Sequence, residues 1–295
     1  MRHMGDVLAG IHATWEFESD SVLIRFERGI RTPKLFQALR ERRVPHEALA
    51  SVTLSPGKRG TVVLHAVPRP GADPLMEAAA GQLKDSGDPY RLVLPAERET
   101  LAEYYADELS TALSTTGPPG DDPADRYLVD PPPAPLNFKA YDGRASFDGS
   151  KVSFRWFWTG ASSAKWKAGD QRFTVSELSG VEWRSPEAFE GYLRLLRRGD
   201  HQQPAQADHD PAAVVFGLGY GPVHESLPFA AAVLAAVRTS GSAVHPGSVP
   251  VPVAAGRRDP ADIAERIRHL GELHDAGLVT DDEFSAKKAE LLAEL

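Results

Sequence analysis

Two stretches of this chain repeat one another, which limits the architecture to tandem copies of one unit. Phe17-Glu18-Ser19-Asp20-Ser21-Val22-Leu23-Ile24 returns as Phe147-Asp148-Gly149-Ser150-Lys151-Val152-Ser153-Phe154, an offset of 130 residues. Val44-Pro45-His46-Glu47-Ala48-Leu49-Ala50-Ser51-Val52 meets Phe173-Thr174-Val175-Ser176-Glu177-Leu178-Ser179-Gly180-Val181 at an offset of 129. A strand-turn-strand signal and a turn leading into a strand therefore recur in the same order. The spacing is far longer than a solenoid unit, so the expectation is two domains in series.

Within a copy the early signals are β. Ala13 to Phe17 and Val22 to Phe26 alternate around the turn Glu18-Ser19-Asp20-Ser21. Further strands are expected at Ala50 to Leu54, Thr61 to Val67 and Tyr90 to Leu94. The second copy offers Gly180 to Trp183, Gly191 to Leu196 and Ala213 to Leu218. Phe154, Trp156 and Trp158 should share one strand face, opposite Arg155 and Phe157. Each copy then closes with a helix. Leu101, Tyr105, Leu109 and Leu113 are spaced by four, as are Phe229, Val233 and Val237, with Ser226 as cap and Pro228 in the first turn. The expected class is mainly β with α: two bent antiparallel sheets, each capped by a C-terminal helix, followed by a helical hairpin.

Two Pro/Gly-rich stretches, 115–135 and 241–257, lack either periodicity and read as extended linkers. They set the boundaries: a first domain over 7–114, a second over 136–240, and a tail over 258–295. Such linkers would present the two domains multivalently. Met1-Arg2-His3 before Met4 reads as a vector remnant, so 1–6 are left out of fold reasoning.

The tail carries the sharpest local signal. Thr280-Asp281-Asp282-Glu283 has the form of a capping box, and Gly277 sits where a preceding helix needs a left-handed stop. One helix puts Ile263, Ile267, Leu270 and Leu273 on a stripe. After Leu278, the next does so with Phe284, Leu291 and Leu292. Fewer than forty residues cannot bury two such stripes alone, so the hairpin wants a partner: a second copy, another protein or the body of the chain.

This tail resembles the short C-terminal domain family SHOCT, on the Ile267/Leu270/Leu273 ladder, Ala276-Gly277-Leu278, Thr280, Glu283-Phe284, Lys287-Lys288 and Leu291-Leu292. The resemblance implies an oligomerisation or interaction module. The two copies are similar to an actinobacterial domain family of unknown function that occurs as a tandem pair before such a tail. That similarity rests on the Phe-Asp/Glu-x-x-x-Val strand pair, on Leu49 with Val52 and Leu178 with Val181, and on the order of parts. It implies a pleckstrin-homology-like fold and brings no catalytic residues.

Composition bounds the chemistry. With 295 residues, net charge −8 and 42% hydrophobic residues, the chain reads as globular, without a membrane-spanning run or an export signal. The expectation is a cytoplasmic protein. No cysteine is present, which removes disulfides, thiolate metal sites and a Cys nucleophile. The acidic balance argues against nucleic acid as a partner. No P-loop or Gly-x-Ser-x-Gly elbow occurs, and Gly217-Leu218-Gly219-Tyr220-Gly221 before Pro222 reads as a turn. His201 and His209 fall in a polar loop stretch. No catalytic residue, cofactor or metal site is expected.

Cations cluster in one place. Arg28, Arg31, Lys34, Arg40, Arg42 and Arg43 precede Val44-Pro45 and are the candidate anion-binding set, with Lys165 and Lys167 at the corresponding place in the second copy. Trp166, between those lysines, is the tryptophan expected at the surface if any is. The reading is a non-enzymatic interaction or scaffold protein that self-associates, or binds another protein, through its tail. The alternatives are a peripheral module for anionic lipid or phosphate and, more weakly, an enzyme with a dispersed site.

Overall fold

Hairpin chemistry starts each copy. The computed structural model describes residues 6–116, 122–188, 190–199 and 206–242. In the first copy β1 (Asp6–Ala9), β2 (Ala13–Phe17), β3 (Ser21–Phe26) and β4 (Glu41–Pro45) form an antiparallel sheet in that order. The β2–β3 turn closes through Glu18 N–H donating to Ser21 O. A helical turn, α1 (Lys34–Leu39), intervenes before β4. A second sheet follows: β5 (Leu49–Pro56), β6 (Thr61–Pro68) and β7 (Arg91–Pro95), with α2 (Pro74–Ala79) inserted between β6 and β7. Helix α3 (Glu99–Thr116) ends the copy and packs on β5.

The second copy repeats this strand order, without a described counterpart of α2. Strands β8 (Leu136–Lys139), β9 (Gly143–Phe147), β10 (Lys151–Trp156) and β11 (Gln171–Thr174) form one sheet, with α4 (Ser163–Ala168) before β11. Strands β12 (Leu178–Arg184), β13 (Tyr192–Arg197) and β14 (Ala213–Val215) form the other. Helix α5 (Val223–Ser242) closes it. Even irregularities repeat. The β5–β6 pairing shifts register between Leu49 and Ser51, and β12–β13 shifts between Leu178 and Gly180. The β9–β10 turn is held by the Asp148 carboxylate, which accepts the N–H groups of Ser150 and Lys151, while Gly149 takes a φ of +104°. The described residues are mainly β with α and form four antiparallel sheets.

The closing helices differ because their surroundings differ. Helix α3 buries Ala102, Tyr105 and Leu109 and leaves Leu101 and Tyr104 exposed. Helix α5 buries Leu227, the unbroken run from Phe229 to Val233, and Val237. A helix apolar all round must be covered all round. Here β12 covers part of it, and α2 and α1 of the first copy cover much of the rest. Leu75, Ala78 and Ala79 of α2 thus join the second copy's core, and Leu35 of α1 joins them. Its neighbour Phe36 stacks on Phe26 in the first copy, ring centroids 4.6 Å apart.

The two copies belong to one compact unit. Polar clasps reinforce the apolar seam. The Gln82 side-chain amide donates to Trp183 O and accepts from Ser185 N–H, each at 2.9 Å. Arg238 of α5 donates to Gly71 O at 3.0 Å and Ala124 O at 2.9 Å, and lies over the Tyr127 ring. The stretch 122–135 forms no helix or strand, yet it is a strap and not a tether. Ala124 and Val129 are buried in the first core, and Arg69 donates to Asp122 O at 2.9 Å. Presentation of two independent domains on a free linker is therefore not what this stretch provides.

Candidate interaction surfaces

Among the described residues a cleft of about 810 Å³ lies along the seam between the copies. Its apolar lining comes from Leu35, Leu83, Phe216 and Val223, and its charged lining from Lys34, Lys84, Glu187, Glu190 and His224. Lys84 and Glu187 pair across the seam at 2.9 Å. Burial lowers the His224 pKa and Lys34 lowers it further, against the opposing pull of Glu225. One wall is the Gly217–Gly221 segment. It is the turn the sequence suggested: Gly217 bridges Tyr220, and Gly219 and Gly221 take φ of +81° and +63°. A Cβ at Gly221 would also stand 2.2 Å from the Phe216 ring, so only glycine fits there. The turn leaves Leu218 fully exposed beside half-exposed Tyr220. An apolar cleft rimmed by both charge signs suits a peptide-like ligand better than a simple ion.

The candidate anion-binding cations do not form one patch. Arg42 is buried and pairs with Asp73 at 2.7 Å. Burial works against its charge, but Asp73, together with Tyr90 and Asp130, raises its pKa overall. Asp73 also accepts the Leu75 N–H at the start of α2 and the Tyr90 hydroxyl at 2.8 Å. Burial first, then Asp73, pushes the Tyr90 pKa well up. Arg42 is thus an internal tie and cannot meet an outside anion. Arg43 is exposed but paired with Glu18. Arg28, Arg31, Lys34 and Arg40 remain exposed.

Lys165 departs furthest from its sequence reading. It is fully buried, paired with Asp142 and 5.0 Å from the centroid of the Trp156 ring. The other Asp142 oxygen accepts the Val215 N–H at 2.9 Å, which ties β14 to the β8–β9 turn. Burial raises the Asp142 pKa and lowers that of Lys165, each against the pull of its partner. In the first copy His12 stands at the Asp142 position: His12 O accepts from Glu27 N–H as Asp142 O accepts from Phe157 N–H. The two copies therefore carry different polar groups at one site, a buried carboxylate in the second and a partly buried imidazole in the first.

Among the tryptophans, Trp15, Trp156 and Trp183 are buried, as core residues should be. Trp158 does not continue the Phe154–Trp156 face. Strand β10 ends at Trp156, and Trp158 is exposed. Trp166 is half-buried and meets Trp158 edge-on at 5.0 Å. Among the described residues no group of three or more His, Asp or Glu side chains could hold a metal, and no helix is long and apolar enough to cross a membrane. His209 pairs with its exposed neighbour Asp208, at 2.7 Å. The tail residues Ile263, Ile267, Leu270, Leu273, Leu278, Phe284, Leu291 and Leu292, together with the 241–257 linker from residue 243 onward and His201, lie outside the described residues.

A duplicated mainly β domain, joined by a helical seam and followed by a short tail, is the class this architecture defines. The chain belongs to the family described as a domain of unknown function (DUF4429), whose pattern matches residues 15–110 and again residues 145–234. Residues 265–292 match the short C-terminal domain SHOCT. No curated protein matches the chain.

Proposed function

We propose that this protein is a non-enzymatic interaction protein whose two pleckstrin-homology-like domains act as one rigid body and whose tail supplies self-association. The observation that carries the reading is the match of residues 265–292 to the short C-terminal domain, over the segment where Ile267, Leu270, Leu273, Leu278, Phe284, Leu291 and Leu292 recur at helical spacing. Each such side chain gains about 1.5–3 kcal/mol on burial, so several together can hold a helix pair between copies. The seam cleft would then take the partner that the assembly gathers, and the protein works inside the cytoplasm.

Light scattering after size exclusion tests this on the full chain, a chain ending at Val253 and a Leu270→Asp/Phe284→Asp variant. The expected result is an oligomer that becomes a folded monomer in both altered forms. A multimer that survives both changes removes the tail from assembly.

A further inference from the structure

The β3–β4 connection carries a feature that tail assembly does not use. Its turn closes through Thr32 N–H donating to Gly29 O at 3.0 Å. Gln37 on α1 braces the same turn, its side-chain amide donating to Gly29 O at 3.0 Å and Thr32 O at 2.8 Å. Thr32 itself is buried, with its hydroxyl 3.4 Å from His12 Nδ1. The base of the turn is thus fixed, while Ile30 at its tip is fully exposed.

Charge separates this tip from an ordinary stray aliphatic. Of the cations between Arg25 and Arg43, the three on strands are matched: Arg25 with Glu16 and Glu41, Arg42 with Asp73, and Arg43 with Glu18. Arg28 and Arg31 on the turn, and Lys34 and Arg40 at the ends of α1, form no ion pair with any described residue. All four are exposed. The only acid between residues 27 and 40 is Glu27, so this segment is locally cationic in a chain of net charge −8.

We propose that this turn is a contact for an anionic bilayer, with Ile30 inserted at the headgroup–acyl boundary and Arg28 and Arg31 on either side meeting lipid phosphates, supported by Lys34 and Arg40. The shape favours a bilayer over an acidic peptide. Ile30 stands fully exposed at the tip of a turn, and a soft planar apolar phase receives such a tip whereas a peptide needs a groove to lie in. The overall negative charge does not forbid the contact, because beyond a Debye length of about 8 Å at physiological salt the distant carboxylates are screened.

Co-sedimentation of the full chain with vesicles tests it. The chain should bind vesicles of phosphatidylcholine mixed with phosphatidylserine and not those of phosphatidylcholine alone, and added salt should weaken binding. Arg28→Gln with Arg31→Gln should weaken partitioning about thirtyfold, and Ile30→Ser about tenfold. Arg43→Gln, which removes a cation already paired, should bind as the unaltered chain does. All four positions are exposed, and far-UV circular dichroism checks that each variant stays folded. Because the chain has no cysteine, Ile30→Cys gives a single site for an environment-sensitive dye, whose emission should shift to the blue on the mixed vesicles. Soluble glycerophosphoserine should not displace the protein.

Three results would overturn the proposal. One is equal binding by the Ile30 and Arg28/Arg31 variants. Another is an equal loss from Arg43→Gln, which would make net charge the cause. The third is absence of binding, or displacement by the soluble headgroup, which would reassign the cations to a free phosphate ligand.

Discussion

Lys165 shows how a single residue can mislead a reading made from neighbours in sequence. Flanked by Ala164 and Trp166 and followed by Lys167, it looks like surface charge. In the fold its ammonium lies inside the second copy against Asp142 and the Trp156 ring. A buried pair of this kind often contributes little net stability, but losing one member strands the other. Lys165→Met should therefore destabilise the protein by about 3–5 kcal/mol. Adding Asp142→Asn should recover most of that, since the amide oxygen can still accept the Val215 N–H without a buried charge. Urea midpoints of the two variants decide it. Equal destabilisation by the single and double changes would mean that the ammonium, and not the orphaned carboxylate, is what the site needs.

At the level of elements, what the sequence revealed depended on whether an element spoke for itself. Strands β2, β3, β5, β6 and β13 alternate or run apolar over their length, and each forms close to where that pattern places it. Strands β4 and β11 were hidden because ERRVP and QRFT carry few apolar residues, and their pairing with β3 and β10 supplies what their own pattern lacks. The one-turn helices α1, α2 and α4 have no full period to show. Helix α5 begins at Val223, a turn before the expected cap. Ser226 then lies inside it, accepting from Trp183 Nε1 at 3.1 Å and donating to Gly221 O, and Pro228 sits in its interior. The seam cleft was not legible at all, since its lining comes from segments nearly two hundred residues apart in the chain.

The turn between β4 and β5 adds a pH dependence. His46 is buried there, and burial lowers its pKa against the weaker pull of Asp20. In the unfolded chain a histidine titrates near 6.5. Below that pH the unfolded state takes up the proton more readily than the folded one, so stability present above about pH 6.5 is lost as pH falls. His224 acts in the same direction. The repeat suggests the control, because Val175 occupies the matching position in the second copy. His46→Val should flatten the fall in urea midpoint between about pH 7.5 and about pH 5.5. A slope identical to that of the unaltered chain would place the dependence elsewhere.

For the whole molecule the seam decides how the two copies behave. Two domains joined only by a linker unfold as two, but here α5 needs α1 and α2 of the first copy to cover its second face. Removing that cover would expose Leu227, Ala231 and their neighbours to water, at a cost of about 25 cal/mol per Å² of apolar surface. Arg238 and Gln82 add hydrogen bonds that no partial unfolding could keep. One cooperative transition is therefore expected over both copies. The tryptophans make this measurable. Trp15 alone lies in the first copy, while Trp156, Trp158, Trp166 and Trp183 lie in the second. Fluorescence thus follows mainly the second copy, whereas far-UV circular dichroism follows both, and in urea the two curves should coincide. Leu75→Ala, which opens the seam at a fully buried contact, should shift both curves together by about 2–5 kcal/mol, although Leu75 belongs to the first copy and most of the fluorescence to the second. Curves that separate, or a shift confined to one of them, would show that the copies fold independently.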